Sequence, residues 1–155
     1  MEASEVLKIV ANGLASQGGP AYESGACLYR ASGGRKCAAG WIITDEEIMR
    51  GVRSMNLSSL KHEGTLPKSC EEHFSLLELL QEVHDSCALN YSYVSVTKPE
   101  PDQLAMWKNV HGPCGIATKL RRVARENDLD PEIVTEAFKN YGGVTADSDD
   151  ARNSE

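Results

Sequence analysis

Five cysteines and four histidines are the side chains of this chain best suited to covalent or metal chemistry. The sharpest set is Cys37, His84 and Asp85. A cysteine attacks as its thiolate, so an ordinary thiol of pKa about 8.5 needs a base or a cation beside it, and histidine is the usual partner. Cys37 sits between Lys36 and the small residues Ala38, Ala39 and Gly40, which would let a substrate approach the backbone closely. His84 follows Leu80 by four residues and Val83 by one, so on a helix its imidazole turns toward the apolar side and the two could meet. In that arrangement Cys37 is the nucleophile and His84 its base, acting on an acyl or thiol-reactive substrate. Asp85 points about 100° away from His84 on the same helix, which makes it a poor orienter of the imidazole and a candidate partner for Arg30 or Arg35. The competing account is structural. A cysteine beside alanines is usually a small buried hydrophobe, and a histidine bordering an apolar stripe is usually a core residue bonded to a carbonyl or carboxylate.

Two further sets have suggestive spacing. Cys70-x-x-His73 and His111-x-x-Cys114 together offer four side chains that would satisfy tetrahedral zinc, and a site there would explain the turn at Gly112 and Pro113. Against it, Cys70 and His73 fall in the first turn of an expected helix. No cofactor is expected, structural zinc being the alternative. Tyr29, Arg30, Arg35, Lys36 and Trp41 form a basic and aromatic cluster in an otherwise acidic chain, able to stack a base and pair a phosphate of a small ligand. The same residues more often hold a hairpin to its body through stacking and surface ion pairs, each worth ~1 kcal/mol or less.

Composition removes several classes. With 155 residues, 41% hydrophobic and 25% charged, the chain is sized and composed for one packed domain, expected over residues 1–140. A net charge of −7 without a cluster of four or more Lys/Arg disfavours nucleic-acid binding. A DNA mimic is compatible with that charge, but no ordered acidic stripe supports it. The five cysteines are odd in number and irregular in spacing, which suits free thiols in a reducing, cytoplasmic compartment. No basic leader opens the chain and no apolar run approaches the ~18 residues of a membrane span. Neither glycine pair continues as G-K-S/T, and G-x-S-x-G and H-E-x-x-H do not occur, so phosphate-loop and common hydrolase readings fall away.

The elements that must position these residues follow from periodicity. Val6, Ile9, Val10 and Leu14 predict a helix over 4–16 with Ser4 as its cap, stopped by Gln17, Gly18, Gly19 and Pro20. Residues 27–30 read as a strand, reversed at Ser32, Gly33 and Gly34 and paired with 35–38. Residues 37–43 are buried, as strand or as a turn of helix. Thr44 and Glu47 form a capping box that starts a short helix ending near Gly51. Ser69 and Glu72 repeat that spacing and predict the clearest helix, over 70–89, striped by Phe74, Leu76, Leu77, Leu80, Val83 and Cys87. Residues 90–101 read as an extended edge or ordered loop. A helix over 102–127 is interrupted at 111–114, and Asp130 with Pro131 caps a last one through Phe138. Residues 141–155 read as a disordered acidic tail. The expected fold is α+β, mainly helical, with about five helices packed around the 70–89 helix and a short β-hairpin near the N-terminal third.

Gln17 and Gly18, then Cys27, Tyr29 and Arg30, then Lys36, Cys37, Ala38, Gly40, Ile43 and Asp45, and finally Leu80, Gln81, His84 and Asp85 form an ordered set. It resembles a family of small uncharacterised proteins of tailed-phage and prophage genomes, which carry a Q-G turn, C-x-Y-R, G-x-K-C-A-x-G-x-x-I-x-D and L-x-x-L-Q-x-x-H-D. The likeness covers roughly residues 4–130 with gaps. Trp107, Leu120, Val123, Ala124 and Leu129 fit its carboxy-terminal positions more weakly. The chain departs from it by lacking Y-D-P after the aspartate, by residues 91–101 and by the break at 111–114. The resemblance implies a phage or mobile-element origin and an accessory role against the host, and it supplies no reaction. The reading preferred here is a non-enzymatic protein that binds a host protein or a small ligand, its surface centred on the segment from 27 to 41, with the Cys37–His84 enzyme as first alternative and a zinc-stabilised interaction module as second.

Overall fold

The computed structural model describes residues 1–17, 19–53, 55–97 and 115–141. The expected helix over 102–110, the interruption at 111–114 with His111 and Cys114, and all of the expected 141–155 tail but Tyr141 lie outside these residues.

α1, Ala3–Ser16, buries Val6, Leu7, Val10, Ala11 and Leu14 on one face. It starts one residue before the expected cap. Glu2, extended and without a side-chain cap bond, occupies that position instead of Ser4. The chain then reverses twice. β1, Tyr22–Glu23, pairs antiparallel with β2, Ala26–Cys27, in the register Tyr22 to Cys27. Both residues of its loop, Ser24 and Gly25, have positive φ, the backbone that a type I′ hairpin turn requires. This is a correction, because the hairpin was expected to pair 27–30 with 35–38. Those two runs do exchange backbone bonds, Cys37 N–H to the Leu28 carbonyl (3.3 Å) and Ala31 N–H to that of Arg35 (2.9 Å), but they build no ladder. Their reversal is a 3-10 turn, Ser32–Gly34, in which Gly33 and Gly34 take φ of 69° and 76°.

A second 3-10 turn, Ala39–Trp41, resolves the segment whose period was undecided. α2, Asp45–Met49, opens with the expected capping box between Thr44 and Glu47. α3, Leu57–Glu63, had no sequence assignment, although Asn56 caps it and Gly64 ends it in the left-handed conformation. The long helix α4 is Phe74–Thr97, neither beginning nor ending where expected. The Ser69 amide and hydroxyl are bonded to the Glu47 carboxylate, at 3.1 and 2.6 Å, so Ser69 sits in a 3-10 turn, Lys68–Cys70, and caps no helix. At the other end, the β-formers of 91–97 lower helix propensity by only some tenths of a kcal/mol each, a weak preference that does not by itself end a helix. α5, Ile116–Glu126, and α6, Glu132–Asn140, complete the described chain. α6 starts at Glu132, one residue past the expected first position Pro131, and the Asp130 carboxylate accepts the Glu132 amide at 2.9 Å.

The fold is therefore α+β and mainly helical, with its hairpin at residues 22–27. α1 lies chiefly against α6, α6 against α5, and α5 against α4, so the helices form a chain of contacts instead of a ring around α4. Leu7, Leu14, Leu77, Leu80, Leu120 and Phe138 are sealed between them. Each such side chain contributes roughly 1.5–3 kcal/mol, against ~1 kcal/mol or less for an exposed ion pair. The apolar faces decide the helix packing; the segment between α1 and α2 adds Ala21, Tyr29, Cys37, Ala38, Ala39 and Ile43 to the core, and polar bonds satisfy its irregular backbone. Among the described residues no helix is long and apolar enough to cross a membrane.

Candidate functional site

Gln81, His84 and Asp85 are spaced i, i+3 and i+4, so they share one face of α4. That face meets the irregular segment between α1 and α2. The Gln81 side-chain oxygen accepts the Ala39 amide at 2.9 Å, while its nitrogen donates to Asp85 Oδ1 at 2.7 Å. His84 is fully buried, its Nε2 accepts the Ala21 amide at 3.1 Å, and its Nδ1 lies 3.0 Å from Asp85 Oδ1. An acceptor at Nε2 requires the ring proton to sit on Nδ1, where it is donated to the carboxylate. Burial pushes the Asp85 carboxyl up, but bonds from His84 and Cys27 and the nearby imidazole hold it below its ordinary value, so it stays ionised. Asp85 thus does orient His84, contrary to the expectation from helix geometry. The 100° between successive residues fixes their Cα–Cβ directions, but Nδ1 is near the backbone and a carboxylate at i+1 can fold back to it. Arg30 and Arg35 bond elsewhere.

Cys27 and Cys37 complete this knot. Cys37 is 1% exposed, and burial pushes its thiol up to about 12 despite donors from the Gly40 and Ala39 backbone and Gln81. Burial and then the negative charge of Asp85 push the half-buried Cys27 thiol to about 12 as well. Neither holds a useful thiolate fraction at neutral pH. The imidazole that was to activate Cys37 has Nε2 occupied by a backbone amide. Nor do the small residues after Cys37 admit a ligand. A Cβ at Gly40 would overlap the Tyr29 carbonyl oxygen, so the space is filled by this chain's own backbone.

The basic and aromatic cluster is drawn inward in the same way. Tyr29 is buried and its hydroxyl donates to the Met55 carbonyl. Arg30 donates to the carbonyls of Tyr29, Gly40 and Ile43 and to the Asp45 carboxylate (2.8 Å), and the guanidinium keeps Asp45 ionised below the usual range. Arg35 reaches the Pro20 and Ser32 carbonyls and pairs with Glu23 at 2.9 Å. Lys36 lies 4.7 Å from the Trp41 ring centre. Trp41 donates to the Gln17 side chain, whose oxygen also accepts the Lys36 amide and whose nitrogen donates to the Gly19 and Lys36 carbonyls. Gln17, which the sequence offers as a helix stop and a letter of the Q-G motif, and Gln81, a letter of L-Q-x-x-H-D, together clamp the segment. Their burial was the missed signal, since a buried amide must find partners.

Of the zinc candidates, Cys70 is fully buried beside Ser69, and His73 Nε2 meets the Met1 carbonyl. A different set, Cys27, His84 and Asp85, brings donor atoms within 4.8 Å of one another, the only such group among the described residues. Its hydrogen bonding argues against a metal. A ligating histidine keeps its second nitrogen protonated and donating, whereas here Nε2 accepts from Ala21, so metal at Nδ1 would require an imidazolate and metal at Nε2 would displace the amide. Beyond Asp85 the surface opens into a cleft of about 260 Å³ lined by Asn56, Ser58, Glu78, Gln81 and Glu82.

Comparison with protein-family models, with curated proteins and with solved structures finds no match to this chain.

Proposed function

We propose that this protein acts by binding, as a phage-type accessory protein that engages a host protein or a small ligand in the host cytoplasm, countering host defence, and performs no chemistry of its own. One observation supports the reading most. The residues that carry the resemblance converge on an internal network in which both thiols are pushed up to about 12 and the imidazole is sealed behind a backbone amide. Such a knot makes a rigid platform. What it offers a partner is the pair of exposed reversals, Ser24 to Ala26 and Ser32 to Gly34.

The test is thiol alkylation followed by mass spectrometry across pH 6–10. Cys27 is expected to react slowly, at a rate still rising at the alkaline end, while Cys37 and Cys70 stay protected until the protein unfolds. A Cys37 that labels fastest, with a midpoint below the ordinary ~8.5, would overturn the reading in favour of the Cys37–His84 enzyme.

A further inference from the structure

We draw no further inference here: the strongest candidate, the cleft of about 260 Å³ between the start of α3 and α4 lined by Asn56, Ser58, Glu78, Gln81, Glu82 and Asp85, carries nothing because it is a cluster of acidic side chains whose buried neighbour Gln81 already bonds Ala39 and Asp85, and nothing in the structure shows what would fill it.

Discussion

Two regions of this molecule are built on opposite principles. The α1–α6–α5 side is helix against helix, with backbone groups satisfied within each helix and Val6, Leu7, Leu14, Leu120, Val134 and Phe138 interlocked between them. Residues 17–45 contain two strands of two residues each and two 3-10 turns, so most of their backbone groups find no ladder. They are satisfied one at a time by the long side chains of Gln17, Arg30, Arg35, Gln81 and His84. The helical side spreads its stability over many interchangeable contacts. The irregular side concentrates it in a few side chains that cannot be exchanged, because each is matched in length and donor pattern to particular carbonyls and amides.

The largest effect should come from breaking the distributed side at its widest point. Phe138→Ala removes a fully buried ring and is expected to cost about 3–5 kcal/mol in denaturant unfolding, with both regions lost in one transition. A separate, earlier loss of the hairpin would show that the two are less coupled than their shared contact with α4 implies.

Gln17→Leu should cost less, about 1–3 kcal/mol, and differently. Volume is kept while the Lys36 amide and the Trp41 indole lose their acceptor, so amide exchange should rise around Lys36 and not in α6. A uniform rise across the chain would erase the proposed contrast.

The smallest effect is the most specific. Burial raises the Glu47 carboxyl, but bonds from Ser69 and Thr44 overcome this and hold it below its ordinary value. A carboxyl lowered by folding contributes stability that is fully present above its unfolded pKa and is lost as pH falls through the folded one. Glu47→Gln should therefore cost roughly 1–2 kcal/mol at neutral pH, and the gap to wild type should close below about pH 4. A gap constant down to acid pH would mean that Glu47 acts by shape and not by charge.

Reading the sequence succeeded where the signal was local. The Thr44–Glu47 box and the Asp130–Pro131 start each depend on neighbours within three residues; the first formed, and the second began its helix one residue later, at Glu132. The identical spacing of Ser69 and Glu72 failed because Glu47, distant in sequence, already holds the Ser69 amide and hydroxyl. The Ser24–Gly25 turn and the Asn56 cap are equally local, but the glycines at 33 and 34 compete with the first as a site of reversal. In the site, the motif letters marked nearly every residue of the knot, but their direction, inward onto the chain's own backbone, was not legible.

The sequence by itself determined the mainly helical class, the apolar stripes and the burial of Cys37 and of the face carrying His84, because periodicity and residue size set these within a few turns. Only the tertiary structure decided that His84 meets Ala21, that Asp85 turns back onto His84, and that the basic cluster spends its donors internally. Hydrogen bonds between segments tens of residues apart depend on where the helices pack, and no spacing along the chain encodes that.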